Sequence, residues 1–485
     1  MKRIMNKKMV WMLVACLLIV IQNFAQDTAA VTGTLTLKQC IDIAMKNNQQ
    51  INEFEYTSEG NNVNLMLARG NMLPSLNGNV NHSLSQGRVI NSFTNTYINQ
   101  NQTSASYNLN ANVYLWNNGS IQNNIAASKL AYQASKMDLQ QQKDNVTINV
   151  ILAYLLVLSN EEQLSTAEQQ VDVTRKQVDR LENENKEGAV LLLNTLSDLK
   201  GQLAANELNV ISGKNAVESA KISLVQLLNL PYSPSMEVEK INKDLSPSIY
   251  NTSADVIYQQ ALQDLALVKA ARFRSLSAVK ALRSAKGQLW PTLSFGGYLS
   301  TNYSSEATTQ NLVDSFDVAT KQYITYNGNP YFVHQTQYNY ASHNLTYGSQ
   351  LQNNFSSGLS LGLSIPILNG LQAKARVKQA RINENRANFE ENTTKTSLQQ
   401  AVEQAYVNMT TAYDRYQTLN DQVAAYKESF RIAEVKFNEG VLTSVDYVIA
   451  KGNVDQAAIN LIAAQYDYIL RVKVLDYYQG KLSVQ

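Results

Sequence analysis

Ala68-Arg69-Gly70-Asn71-Met72-Leu73-Pro74-Ser75-Leu76 returns 217 residues later as Ala285-Lys286-Gly287-Gln288-Leu289-Trp290-Pro291-Thr292-Leu293. A second stretch, Asn185-Lys186-Glu187-Gly188-Ala189-Val190, returns as Phe437-Asn438-Glu439-Gly440-Val441-Leu442. Both pairs lie in the same order along the chain, so the sequence reads as two internal repeats. Each runs helix, strand pair, very long helix, Glu-Gly break, returning helix. A repeat of this length fixes architecture before any short motif does.

Around the repeated prolines the hydrophobic period changes from helical to two. Leu76, Gly78, Val80, His82 and Leu84 alternate with Asn77, Asn79, Asn81, Ser83 and Ser85. Ala105, Tyr107, Leu109, Ala111, Val113 and Leu115 alternate with Ser106, Asn108, Asn110, Asn112 and Tyr114. In the second repeat, Leu293, Phe295, Gly297 and Leu299 alternate with small or polar residues, and Leu359, Leu361, Leu363, Ile365 and Ile367 do the same. Period two with one greasy and one amide-rich face predicts strands that are apolar on one side. Their length suits tilted membrane strands. Trp116 and Trp290 stand at strand ends, where interfacial aromatics belong. A soluble sandwich with one wet face fits the alternation equally well.

The helices separate these readings. Residues 119–186 contain no proline and no internal glycine. At ~1.5 Å per residue such a helix reaches ~100 Å, beyond what a compact domain houses. Its apolar residues form two seams, Ile125-Tyr132-Leu139-Val146-Ala153 and Leu130-Met137-Ile151-Leu158. Lysines 129, 136 and 143 lie between them, with Ser128, Ser135, Gln142 and Asn149 opposite. Two seams and two polar faces suit a wall with neighbours on both sides and water on both faces, whereas a dimeric coiled coil needs one seam.

Composition narrows the function. Lys2, Arg3, Lys7 and Lys8 precede an apolar run at 9–21, which reads as a secretory signal at 1–25. Leu13-Val14-Ala15-Cys16 also resembles a lipoprotein box. Without those four cations, Lys+Arg falls from 41 to 37 against 39 Asp+Glu, which gives nucleic acid no basic patch. Cys40 has no cysteine partner outside the signal, and His82, His334 and His343 are not spaced as a zinc set. No phosphate loop or nucleophile constellation stands out. No cofactor, metal or catalytic site is expected.

The strand-to-helix corners Asn112-Val113-Tyr114-Leu115-Trp116-Asn117-Asn118-Gly119 and Leu363-Ser364-Ile365-Pro366-Ile367-Leu368-Asn369-Gly370, with the tip Ala433-Glu434-Val435-Lys436-Phe437-Asn438-Glu439-Gly440, resemble the TolC family of outer-membrane efflux proteins. The carboxyl end, through Ala464, Tyr466 and Leu470 to Gly480, fits as well. The resemblance implies a mainly α chain with a transmembrane β part. Three copies would build one β-barrel, four strands per protomer, continued by a long periplasmic α-helical barrel. The expected segments are N-terminal helices at 26–73, a membrane β-hairpin at 74–116 and a periplasmic helical hairpin at 117–230. A belt linker at 231–255 and a helix at 256–290 follow. The second β-hairpin at 291–367 carries a long outer loop at 302–354, and a second helical hairpin at 368–480 precedes a short tail.

The resemblance also implies a passive export channel in the outer membrane of a Gram-negative cell, reaching into the periplasm. Its cargo would be drugs, toxic compounds or metal ions. Its partners would be outer-membrane lipid, a periplasmic adaptor and an inner-membrane pump of RND or ABC type. Asp446 matches an acidic ring position of the gate. Ile449 stands where some members carry another acid, and Phe437 and Leu442 replace polar locking residues. Asn194 and Ser197 are the first-repeat counterparts. The turns at Glu187, Gly188, Glu439 and Gly440 would dock the adaptor. A secreted polypeptide remains an alternative cargo. A non-transporting trimeric stalk is the alternative from another functional class.

Overall fold

The computed structural model describes residues 33–90, 95–186, 193–240 and 247–481. The expected signal at 1–25, with Cys16, and the first tip turn with Glu187 and Gly188 lie outside the described residues. The chain forms two compact units, one from residues 1–59, 133–272 and 389–485, the other from 60–132 and 273–388.

Helix lengths match in pairs along the chain. Helices α1 (Leu37–Asn47) and α2 (Gln49–Gly70), of 11 and 22 residues, precede the first strands. Helices of the same lengths, α5 (Ala254–Asp264) and α6 (Ala266–Gly287), precede the later ones. Helices α3 (Ser120–Lys186) and α8 (Gln372–Asn438) have 67 residues each. They are followed by α4 (Leu193–Leu228) and α9 (Ser444–Tyr478), of 36 and 35 residues. Two 67-residue helices without a break reflect sequences free of internal proline, the residue that removes a ladder donor and clashes with the preceding turn.

In the first unit, β1 (Gly33–Leu35) pairs in parallel with β4 (Met236–Val238). Sequence reading treated this latter segment as plain linker, since three residues carry no readable period. A capping box between Thr36 and Gln39 then starts α1, which buries Cys40, Ile41 and Ala44. These residues share a core with Val146, Val150, Ile151 and Leu158 of α3 and Leu224 and Leu228 of α4. A second core joins Ile257 and Ala261 of α5, Leu398, Val402 and Met409 of α8, and Tyr468 and Leu475 of α9. Both seams of α3 therefore contribute buried residues. One expectation changes: Ser135, assigned to a wet face, is buried, while Lys129 and Lys136 are exposed. A serine is small enough to be covered at little cost where a lysine is not.

In the second unit, β2 (Ser75–Ile90), β3 (Tyr97–Trp116), β5 (Thr292–Ser304) and β8 (Ser356–Ser364) form one antiparallel sheet in the order β2-β3-β5-β8. Its register aligns the apolar rows of all four strands. Leu76, Ala111, Gly297 and Leu359 stand in one line, and Val113, Phe295 and Leu361 in another. The intervening rows, such as Asn77-Asn110-Tyr298 and Asn79-Asn108-Ser300, fall on the opposite face. Large side chains of the apolar face are exposed, Leu359 at 80%. A bulge between Tyr114 and Trp116 ends the β3–β5 ladder. The outer edges of β2 and β8 have no partner among the described residues.

The segment expected as a loop at 302–354 is a correction. It contains a two-stranded ribbon, β6 (Thr308–Tyr326) with β7 (Asn329–Asn344), and a short helix, α7 (Tyr347–Asn353). Asn327 and Gly328 both adopt positive φ, 52° and 78°, as a two-residue hairpin turn demands. Asn-Gly between Tyr-, Thr- and Val-rich runs was a hairpin signal that polar composition masked. Buried Gln350 of α7 fixes the root of the ribbon. It accepts from Ser304 N at 2.9 Å and donates to Ser304 O at 2.9 Å and Leu345 O at 3.0 Å.

Tyr154 of α3 holds the β1–β4 pair, its hydroxyl 2.6 Å from the Glu239 carbonyl and 3.1 Å from that of Leu35. Tyr154→Phe leaves these buried acceptors without that donor. We expect a loss of about 1–3 kcal/mol, read as a lower thermal midpoint by circular dichroism with unchanged helix content at 20 °C or a similar low temperature.

Candidate functional site

The second tip lies in the first unit, where α8 turns into α9. Gly440 reverses the chain in the left-handed region, φ 74°, which glycine enters without strain. Val441 N and Leu442 N then return to the Lys436 carbonyl at 2.9 and 3.2 Å, closing orphan groups at the helix end. Thr443 starts α9: its hydroxyl oxygen accepts from Asp446 N at 3.2 Å and its O–H donates to Asp446 Oδ2 at 2.7 Å.

Thr443-Ser444-Val445-Asp446 is thus a capping pattern, a signal that sequence reading passed over in treating Asp446 only as a ring acid. The carboxylate sits in the first turn, where the helix dipole favours negative charge, and it remains exposed. Ile449 lies one turn further on and is also exposed. Both side chains are therefore free to face an opening, one charged and one greasy.

Phe437 and Leu442 have a different setting. They pack, half-buried, on a cluster of Val178 and Leu181 from α3, Leu196 and Leu199 from α4, and Tyr447 from α9. The Phe437 ring stacks on Tyr447 with centroids 4.4 Å apart and planes at 25°. This places their apolar contacts between the two hairpins of one chain. Tyr447 is buried and bonds Gln177 of α3. Burial, and then the nearby Glu434 carboxylate, push its phenol up to about 12, so it stays neutral and accepts from Gln177 Nε2. Two polar contacts flank the cluster. Arg180 places both terminal nitrogens 3.1 Å from Asn438 Oδ1, and the Ser444 hydroxyl donates to Asp198 at 2.9 Å.

Behind the cluster lies a buried polar layer that the sequence did not disclose. Lys451 and Asp455 form an ion pair within α9, with side chains 7% and 13% exposed. Gln170 of α3 donates to the Asp455 carbonyl at 3.2 Å, and Asn206 of α4 donates to the fully buried Thr174 hydroxyl at 3.0 Å. Burial raises the Asp455 carboxyl, and the Lys451 ammonium opposes that rise. Only the i, i+4 spacing of Lys451 and Asp455 was readable; that spacing usually marks a solvated pair.

The remaining candidates are placed less closely. Ser197 is exposed on α4, and Asn194 is the second residue of that helix, its side chain outside the described residues. Glu439 and Gly440 are exposed at the turn. Trp116 and Trp290 are exposed at the ends of β3 and just before β5. Among the described residues no His, Cys, Asp and Glu side chains gather as metal ligands. No described helix is long and apolar enough to cross a membrane.

The family model described as outer membrane efflux protein matches residues 40–230 and 257–480. The chain belongs to the outer membrane efflux protein family. This efflux protein is 23% identical to the outer membrane protein TolC of Salmonella enteritidis over 428 residues, covering 86% of this chain and 76% of TolC. Among solved structures it resembles VceC of Vibrio cholerae, with TM-score 0.70, 13% identity, 92% of this chain and 96% of that one. It also resembles the open state of the MtrE channel of Neisseria gonorrhoeae, with TM-score 0.66, 16% identity, 93% of this chain and 90% of that one. Membership places it in the outer membrane of a Gram-negative cell, extending into the periplasm, and makes it a channel rather than an enzyme.

The buried pair gives a direct test of the tip. Asp455→Ala leaves the Lys451 ammonium buried without its counter-charge and should cost about 3–5 kcal/mol. The double change Lys451→Met with Asp455→Leu should recover most of that loss. Thermal unfolding of the three variants in detergent checks the order.

Proposed function

We propose that three copies of this chain close one membrane barrel and one periplasmic helical tube. In this reading the assembly is a passive exit duct for small molecules, namely drugs, toxic compounds or metal ions. A periplasmic adaptor docks at the turns near Gly188 and Gly440 and opens the tip. An RND or ABC pump in the inner membrane supplies the energy. Asp446, with Ile449 beside it, lines the narrow end, and Asn194 and Ser197 are its counterparts on the first hairpin. Trp116 and Trp290 sit at the membrane interface.

The observation that carries this reading is the two-faced sheet with both edges open. Four strands share one apolar face, yet the outer edges of β2 and β8 have no strand partner among the described residues. Such edges are not tolerated in lipid, and further copies of the same sheet satisfy them. A second asymmetry agrees. A Cβ at Gly287 would meet Ser120 at 3.0–3.1 Å, so α6 lies close against the start of α3. Its repeat counterpart Gly70 has nothing within 4 Å. Met66 and Leu67 of α2, and Ile382 and Phe389 of α8, stay exposed. The contact made within the chain at Gly287 is thus left for another copy at Gly70.

The amide face supports a cargo-tolerant lumen. Arg88 is the one charged residue in β2, β3, β5 and β8. Asn and Ser rows offer hydrogen bonds to solutes of either sign, which leaves discrimination by charge to the tip, where three Asp446 carboxylates attract cations.

Purified protein in a planar bilayer tests the duct. We expect a small, cation-preferring conductance whose reversal potential moves toward zero in Asp446→Asn. Phe437→Ala, which loosens the cluster between the hairpins, should raise conductance several-fold. Absence of ion passage even in the combined Asp446→Asn and Phe437→Ala variant would overturn the reading.

A further inference from the structure

Two hairpin ends leave the same row of the sheet without a partner in their own chain. The β3–β5 ladder ends at Ser104 and Ser304. Beyond it, β2 and β3 continue alone, from Leu84 with Thr103 to Ile90 with Tyr97. The β6–β7 ribbon starts from that row too, tied by Ser305 N to Thr103 O at 2.9 Å and by Thr103 N to Ser305 Oγ at 3.0 Å. The ribbon forms no packed interface with β2 or β3 of its own chain among the described residues. An isolated two-stranded ribbon is marginal in water, and this one exposes Leu312, Tyr338 and Tyr340 on one face near its root.

The two ends carry opposite charge at matching distances. The β2–β3 end has Arg88 as its one charged residue, its guanidinium 4.7 Å from the Tyr97 ring centroid. The root half of the ribbon has Asp314 and Asp317 and no cation before Lys321. Among the described residues none of Arg88, Asp314 and Asp317 takes part in an ion pair; Asp317 accepts from the Thr336 hydroxyl at 2.8 Å. Arg88 lies five ladder rows past the Ser83–Ser104 row, counting 83 to 88. Asp314, opposite Asn339, lies five rows past the Thr308–Asn344 row, counting 344 to 339.

Strand order says which copy's β2, the strand that bears Arg88, comes nearer. The ribbon is inserted between β5 and β8, and β8 is the free edge. In the trimer proposed above, on which this inference rests, the next copy's β2 lies against that edge. With strands ~4.8 Å apart, the ribbon's root is then ~7 Å from the next copy's β2 and ~12 Å from its own.

We propose that the ribbon clasps the end of the β2–β3 hairpin of the neighbouring copy. Asp314, on the ribbon face opposite Leu312, Tyr338 and Tyr340, faces Arg88. The clasp fastens the copies at the end of the sheet opposite the long helices, a fastening the strand ladder alone does not supply. Being an exposed charge pairing in part, it weakens with salt.

Mixed oligomers provide the test. One tagged copy carries Arg88→Cys and a differently tagged copy carries Asp314→Cys; both are co-expressed, purified in detergent and treated with a short bismaleimide. Cys40 is fully buried, and the parent chain treated alike measures any reaction there. A second mixture replaces Asp314→Cys with Ser315→Cys, one row on and on the opposite face of the ribbon, and light scattering gives the mass of every sample. A covalent product joining the two tags in the first mixture, several-fold above the second, is expected. A trimer that yields no such product, or equal product in both mixtures, overturns the clasp and leaves the trimer standing. A parent chain that is not trimeric overturns both. Parent trimers should also dissociate at lower temperature once the charge is reversed in Arg88→Glu, and regain stability with Asp314→Lys added.

Discussion

Backbone hydrogen bonding at two strand edges is the constraint on which the rest of this molecule turns. β2, β3, β5 and β8 align their apolar rows on a single face, the pattern of a sheet that meets hydrocarbon on one side. The N–H and C=O groups along the outer sides of β2 and β8 find no strand partner among the described residues. In the outer membrane, where family membership places the protein, no water replaces those partners. A chain with four such strands therefore needs hydrogen-bonding partners at both edges, which the proposed trimer supplies. In the proposed trimer the exposed faces of α2 and α8 gain neighbours as well.

The helices meet a different requirement, that of holding two long hairpins together at their far ends. Phe437, Leu442 and Tyr447 bring α8 and α9 against α3 and α4 through ring stacking and aliphatic packing. Arg180–Asn438 and Ser444–Asp198 add polar contacts at the rim of that cluster. Exposed contacts of this kind contribute little alone. Desolvation opposes the buried Lys451–Asp455 pair beneath the tip, and the attraction between the two charges offsets that cost. Asp446 combines two duties: it caps α9 through Thr443, and it keeps an exposed charge at the turn.

Much of this was legible in residues. Period-two alternation at Leu76 to Leu84 and Ala105 to Leu115 announced strands with one greasy face, and freedom from proline announced the long helices. Glu439-Gly440 marked the turn after α8, where a residue in the left-handed region is needed; its repeat at Glu187-Gly188 lies outside the described residues. Other features escaped for physical reasons. The ribbon at 308–344 looked like a loop because its tyrosines, threonines and amides are polar by composition while being strand-prone by shape. Asn327-Gly328 was its one sharp local signal. The β1–β4 pair is too short to show a period. Tyr447, Lys451 and Asp455 resemble ordinary helix residues until the neighbouring hairpin covers them.

The sequence by itself determined the kinds and lengths of the elements, because strand and helix periods, proline placement and capping residues act over a few neighbouring positions. It also carried the family resemblance, because the strand-to-helix corners and the tip at Gly440 are short runs of order along the chain. Tertiary structure alone decided which rows meet across the sheet. It also decided that Phe437 and Leu442 lie in a contact between hairpins, and that the inserted segment stands as a ribbon rooted on Gln350. Those outcomes depend on contacts between residues tens to hundreds of positions apart. Burial and hydrogen bonding there are settled by the whole fold, and no local pattern encodes them.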